Sequence, residues 1–248
     1  MLALKNISKI YDNAGHRVEV IKGLNVSLKN REFIAMVGPS GCGKSTLLKI
    51  IAGLAPATSG EIRLAGKRIH GPGKDRGLVF QNFTLFPWLK VKDNIAFGLN
   101  LRKVSAQEKN KTTQHYLRIT GLTDFAEFYP KNLSGGMQQR VAIARTLANN
   151  PKILLMDEPF ASLDTQTRSQ MQEFLIKLAE KEQTTVLFVT HDIEEAIFLA
   201  DKVAVLSSRP SQVKKTFTIP FPRPRIHELK YSQAFFDFKK QIAACLER

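Results

Sequence analysis

Four short apolar runs give the chain its strongest pattern. Glu32–Val37 (EFIAMV), Lys152–Met156 (KILLM), Thr185–Val189 (TVLFV) and Val203–Leu206 (VAVL) carry few polar residues. The first stops at a glycine and the second at a pair of acids. Continuous rather than alternating hydrophobicity over such lengths predicts strands buried on both faces. Helical spacing lies between the runs: Thr46–Gly53 (TLLKIIAG) ends on a glycine, Gln166–Lys181 is amphipathic, and a helix is expected at about Ile193–Leu199. Buried strands alternating with helices predict an α/β fold on a parallel sheet with helices on both faces. At the N-terminus, strands are expected at Ala3–Ile7, Val18–Ile21 and Leu24–Leu28 around a polar turn, residues 12–15.

Residues 82–149 have a different texture, polar and helix-favouring, with few strand signals. Ser105 with Glu108 fits a capping box, and an alanine-rich helix is expected from Ser134 to about Ala148. After Ser207 the pattern changes again. Pro220, Pro222 and Pro224 alternate through Ile219–Arg225, which predicts an extended segment. Ile226–Arg248, with Phe235, Phe236 and Phe238, reads as a terminal helix. No internal repeat is visible.

Composition narrows the class. The 248 residues are 43% hydrophobic and 24% charged, which excludes disorder, collagen and coiled coil. No apolar run approaches the roughly 18 residues that cross a bilayer. The opening MLALKNISKIYDN lacks the basic-then-apolar order of a signal peptide, so a cytosolic chain is expected. Cys42 and Cys245 are too few for a disulfide framework and His16, His70, His115, His191 and His227 are scattered, so no structural metal is expected. Charge leaves more open. Lys+Arg number 37 against 22 Asp+Glu, a net +15, and residues 202–248 hold +7 of it. Such a surface suits nucleic acid, anionic lipid, an acidic partner or plain solubility.

The chemistry concentrates in three places. Gly38, Pro39, Ser40, Gly41, Cys42, Gly43, Lys44 and Ser45 fit G-x4-G-K-[ST], with Thr46 following, after a buried strand and before a helix. Glycines let backbone N–H groups turn inward around phosphate oxygens, and the helix start adds partial positive charge. Lys44 is expected to reach the β- and γ-phosphates and Ser45 to ligate Mg²⁺, while Cys42 is expected to pack. Asp157 and Glu158 end an apolar strand, where ligands bind in a parallel sheet. Asp157 can hold Mg²⁺ and Glu158 can polarise an attacking water as general base, although two acids can also simply start a helix. Finally, Ser134, Gly135 and Gly136 in the run Leu133–Arg140 form a second anion-type helix start, or Ser134 merely caps the helix. One nucleotide does not need two phosphate clamps.

Leu133–Arg140 resembles the signature of the ATP-binding cassette (ABC) family, and the other landmarks of that family occur in order across about residues 1–225. Met137 departs from the glutamine most often found there. The resemblance implies a P-loop NTPase (RecA-like) core with a mainly parallel sheet, an N-terminal antiparallel β-subdomain and an inserted α-helical subdomain. A single domain over residues 1–248 is expected: 1–81 and 150–220 as the nucleotide-binding core with the β-subdomain, 82–149 as the helical signature subdomain, and 221–248 as a basic C-terminal tail. Tyr11 matches the aromatic that stacks on adenine, Gln81 the glutamine that meets Mg²⁺ and the attacking water, and His191 the histidine that holds the γ-phosphate. Ser162, Leu163 and Asp164 resemble the loop that crosses to a partner subunit.

By the same resemblance, ATP and Mg²⁺ are bound between two cassettes paired head to tail, the phosphate loop of one facing the signature of the other. A homodimer is therefore expected when ATP is bound, and a lone monomer should hydrolyse poorly. The aromatic segment Phe83, Phe86, Pro87 and Trp88 begins the region that receives a membrane-spanning permease, supplied as a separate chain at the cytoplasmic face of the inner membrane. An extracytoplasmic solute-binding protein would act indirectly. The Phe221–Arg225 segment and the FPW after Gln81 are similar to the nitrate, sulfonate and taurine import branch. Competing readings are a non-transport ABC ATPase acting on nucleic acid or ribosomes, or the cassette of a lipid or lipoprotein exporter. With neither a second cassette nor an aromatic-basic stripe, the sequence argues against nucleic acid.

Overall fold

The computed structural model describes residues 1–13 and 16–247. Strand β1 (Leu2–Asn13) pairs antiparallel with β2 (His16–Leu28), so the N-terminal strands expected as separate pieces are two long ones; Ala14 and Gly15 of the expected turn lie outside the described residues. Register shifts between Leu4 and Ile10 break the alternation along β1, which is why the sequence reads as fragments. Two strands without a strong apolar run complete this sheet, β4 (Ser59–Leu64) and β5 (Lys67–Arg68), in the order β2-β1-β4-β5.

The four apolar runs become β3 (Phe33–Val37), β7 (Ile153–Asp157), β8 (Thr185–Thr190) and β9 (Lys202–Leu206). They form one sheet in the order β10-β9-β3-β8-β7-β6, flanked by β6 (Arg76–Val79) and β10 (Val213–Thr218). All neighbours are parallel except the β9–β10 pair. Side chains alternate between two cores. Ile34, Met36, Ile153, Leu155, Leu187, Val189, Ala204 and Leu206 face helix α1 (Lys44–Ala52) and the antiparallel sheet. Phe33, Ala35, Leu154, Met156, Val186, Phe188, Val203 and Val205 face α5 (Thr165–Lys181) and α6 (Ile193–Leu199). The sheet is thus covered mainly by helices on one face, and by α1 with a second sheet on the other.

Between β6 and β7 lie α2 (Val91–Leu101), α3 (Ala106–Ile119) and α4 (Gly135–Leu147). Ser105 caps α3 by accepting the Glu108 N–H at 3.2 Å, and α4 packs on α2, α5 and β6. The terminal helix expected within residues 226–248 is present. A 3₁₀ turn (His227–Tyr231) leads to α7 (Gln233–Glu247), whose Phe235 and Ile242 are buried in the helical core. Arg225 anchors the proline-rich approach: its Nη1 donates to the carbonyls of Ile197, Phe198 and Ala200 at 2.7–3.0 Å, satisfying the end of α6. Burial pulls this guanidinium down to about 10, so it stays charged at neutral pH.

Candidate active site

In the order β3-β8-β7, three strands place their C-terminal ends side by side. The loops that follow therefore converge: the phosphate loop after β3, Asp157 and Glu158 at the end of β7, and His191 after β8. Gln81 follows the edge strand β6 at the same end and is exposed.

The phosphate loop needs its glycines for space as well as conformation. Gly43 has φ 113°, and a Cβ there would meet Val20 Cγ1 at 2.8 Å. A Cβ on Gly38 would meet Cys42 Sγ at 2.9 Å and Leu206 Cβ at 3.0 Å. Cys42 is buried and its thiol is pushed up by that burial, so it packs. Lys44 is 5% exposed, with Nζ donating to the carbonyls of Gly38 at 2.8 Å and Pro39 at 3.1 Å. The same ammonium lies 3.7 Å from Glu158 Oε1.

Ser45 Oγ donates to Asp157 Oδ1 at 3.0 Å. Burial raises the Asp157 carboxyl above its ordinary value and Glu158 adds to the rise, while Ser45 and nearby lysines oppose it. A hydroxyl and a carboxylate side by side are hard oxygen donors of the kind Mg²⁺ takes alongside phosphate oxygens, so the residues fit that ion. Among the described residues, no three His, Cys, Asp or Glu side chains cluster as a metal site.

Glu158 has φ 44°, a left-handed backbone unusual for a side chain of its size. Its N–H donates to the Val189 carbonyl at 2.9 Å, tying the end of β7 to β8. Its Oε2 lies 2.7 Å from His191 Nδ1. Two of the three expected catalytic groups, Glu158 and His191, are thus in contact.

Of the remaining expected site residues, Tyr11, Ser134, Gly135, Gly136 and Asp164 lie on other elements. Tyr11 is 43% exposed, with the Lys9 ammonium 4.7 Å from its ring centroid. Ser134 Oγ accepts the Met137 N–H at 3.3 Å and caps α4. A Cβ on Gly136 would lie 2.6 Å from Thr167 Cγ2, and one on Gly135 would lie 3.1 Å from Leu163 Cδ2, so the start of α4 packs against the start of α5. Asp164 caps α5 by accepting the Thr167 N–H at 2.9 Å, and hydrogen bonds from the Thr167 side chain and then its backbone lower the carboxyl. Pro39, Ser40, Gly41 and Thr46 complete the phosphate loop and its helix. One contact the sequence did not suggest is Arg209, whose Nη2 donates to the Gly41 carbonyl at 2.7 Å. The β9–β3 pairing and the bridge between Ile21 and Ser211 bring that loop to the phosphate loop, long-range contacts that carry no sequence signal.

The family model described as "ABC transporter" matches residues 21–161. The chain is 45% identical over 251 residues to the nitrate import ATP-binding protein NrtD of Synechocystis sp., covering 99% of this chain and 94% of that protein. It is 43% identical over 247 residues to the aliphatic sulfonates import ATP-binding protein SsuB of Bacillus cereus, covering 100% and 96%. Among solved structures it is similar to the dimeric post-hydrolysis state of the ATP-binding cassette MJ0796 bound to ADP and Pi. There the TM-score is 0.77 and the identity 35%, over 90% of this chain and 100% of that one. The chain belongs to the ABC transporter family, as one of its ATP-binding, ATP-hydrolysing cassettes.

Proposed function

We propose that this cassette drives uptake of a small anion of the nitrate or sulfonate type through a separate membrane permease, working as a head-to-tail dimer at the cytoplasmic face of the cell membrane. The observation that carries the reading is full-length similarity, at 43–45% identity, to two import ATP-binding proteins whose substrates are both anionic. Neither the nucleic-acid nor the exporter alternative has comparable support. An extracytoplasmic solute-binding protein would present the anion to the permease.

At the active site, Gly38–Thr46 bind the triphosphate, with Lys44 turning from the loop carbonyls to the β- and γ-phosphates. Mg²⁺ would be held by Ser45, Asp157 and Gln81, and Gln81 would also meet the attacking water. When bound, the ion neutralises charge on the phosphates. Glu158 takes a proton from the attacking water, and His191, in contact with Glu158, holds the γ-phosphate. Tyr11 stacks on the adenine. Ser134, Gly135, Gly136 and Asp164 serve the partner's nucleotide. Residues 1–81 and 150–220 form the nucleotide-binding core, and residues 82–149 the subdomain that carries the signature.

A groove of about 530 Å³ lined by Phe86, Phe97, Leu101, Arg145 and Asn149 supports a permease contact. Trp88, beside Phe86, is 70% exposed. Of the aromatic segment, Phe83 and Phe86 are half-buried while Pro87 and Trp88 are open. Among the described residues no helix is long and apolar enough to cross a membrane. Affinity capture of the tagged chain from detergent-solubilised membranes should bring down a multi-span protein. Recovery of ribosomal or DNA-associated proteins alone would overturn the transport reading and leave the ATPase intact.

A further inference from the structure

Behind the Glu158–His191 pair lies a carboxylate that the chemistry above does not use. Glu195, in the first turn of α6, is 5% exposed. Its Oε2 accepts from Thr190 Oγ1 at 2.6 Å and its Oε1 from Gln172 Nε2 at 3.1 Å. The Thr190 hydroxyl in turn accepts the Asp192 N–H at 3.0 Å. Glu195 is thereby linked to the residues on either side of His191. A cavity of about 50 Å³ has Glu158, Phe160, Arg168, Thr190, His191 and Glu195 among its walls. Behind Gln172 stands Lys230, from the C-terminal 3₁₀ turn, donating to Gln172 Oε1 at 2.7 Å and lying 4.5 Å from the Phe198 ring centroid.

With Glu195 ionised, the donor directions along this chain are forced. An ammonium can only donate, so the Gln172 carbonyl faces Lys230 and its NH₂ faces Glu195. A carboxylate can only accept, so it takes both the Gln172 amide and the Thr190 hydroxyl. Having given its proton to Glu195, Thr190 has only lone pairs to offer the Asp192 N–H. Each bond fixes the next, from the C-terminal segment to the turn that carries His191.

We infer that Glu195 is a positioning residue for His191: the chain Lys230–Gln172–Glu195–Thr190 holds the turn that aims the histidine at Glu158, and makes that aim depend on the C-terminal segment. The inference rests on the roles proposed above for His191 and Glu158.

Glu195→Gln tests it in the full-length protein with Mg-ATP. The introduced amide has a single acceptor end for two donors, Thr190 Oγ1 and Gln172 Nε2, so one of them loses its partner, and Gln172 cannot turn round to accept while Lys230 holds its carbonyl. A buried donor left unpaired at the turn should lower kcat by about tenfold, with KM for ATP changed by less than about twofold. Adding Lys230→Met frees Gln172 to rotate its carbonyl towards the new amide, so the double variant should recover at least about threefold of the loss, a coupling that independent sites would not show. Wild-type kcat in Glu195→Gln, a KM rise that accounts for the loss, or no recovery in the double variant would each overturn the inference. Should Glu195→Gln not fold, Thr190→Val and Thr190→Ser read the same chain: valine should lower kcat and serine restore it towards wild type. His191→Ala, assayed in parallel, separates the two levels. If it turns over normally, the proposed role of His191 fails. If it is inactive while Glu195→Gln is normal, only the positioning inference fails.

Discussion

Two helix starts in this chain offer backbone N–H groups to an anion, and they are built differently. At the start of α1 the loop wraps its own lysine, whose ammonium sits on the Gly38 and Pro39 carbonyls and 3.7 Å from Glu158. A hydroxyl–carboxylate pair and a glutamate–histidine pair stand beside it. At the start of α4, Ser134 is exposed and bonds its own helix, and the glycines behind it pack against α5. The first start holds a cation, acids and a histidine, everything that phosphoryl transfer to water asks for. The second supplies only donors. That difference is what a shared site predicts, with the chemistry on one copy and a closing surface on the other.

The sharpest way to break this comparison is to remove the proposed base at the first start. Glu158→Gln should lower turnover by about 10²–10⁴-fold while ATP still binds, and should accumulate an ATP-loaded dimer visible by gel filtration. Turnover near wild type would remove Glu158 from its role. Lys44→Ala should act one step earlier, weakening ATP binding to the monomer by about 10–100-fold, as expected when a buried charged donor is lost. Unchanged ATP affinity by calorimetry would contradict the phosphate-loop assignment. Ser134→Arg probes the second start. In the Glu158→Gln background it should leave monomer affinity for ATP within about twofold and raise the dimer dissociation constant by at least about tenfold, since an arginine side chain must be buried there. A dimer that survives would show that the α4 start closes no partner site.

The sequence was legible where physics is local. The four buried runs, the phosphate loop and the acids ending β7 need only neighbouring residues to be read, and each lies where it was expected. β6 is four residues long and β10 (VKKTFT) is polar, so neither has the apolar run that marks a strand. Both are edges of the sheet, where one flank needs no partner and the pattern relaxes. The terminal helix was legible from its apolar residues, but its docking was not: Phe235 and Ile242 bury one stripe of α7 in a segment whose charge suggests only a basic surface. Contacts such as Arg209 on Gly41 or Lys230 on Gln172 join residues 168 and 58 positions apart and follow from tertiary packing. Spacing along a chain carries no trace of them.

The finest distinction between the two starts is one of sign. Asp157, beside α1, has its carboxyl raised by burial and then by Glu158, so the folded chain holds that proton more tightly than the unfolded chain does. Its contribution to stability is full below the unfolded pKa and is lost as pH rises through the folded one. Asp164, beside the α4 start, is held low by the Thr167 hydrogen bonds, so its contribution is present above the unfolded pKa and is lost as pH falls through the folded one. Without nucleotide at neutral pH, Asp157→Asn should therefore melt a few degrees above wild type, keeping an acceptor for Ser45 without the desolvated charge, while losing Mg²⁺-dependent turnover. Asp164→Ala should melt below wild type. Both differences should shrink as pH falls into the carboxylate range. Equal melting of wild type and Asp157→Asn at neutral pH would mean that the carboxylate is not strained in the empty site. A gain confined to the nucleotide-free protein would mean that binding the nucleotide and its metal relieves a strain built into the first start, which the second, with its ordinary cap, does not carry.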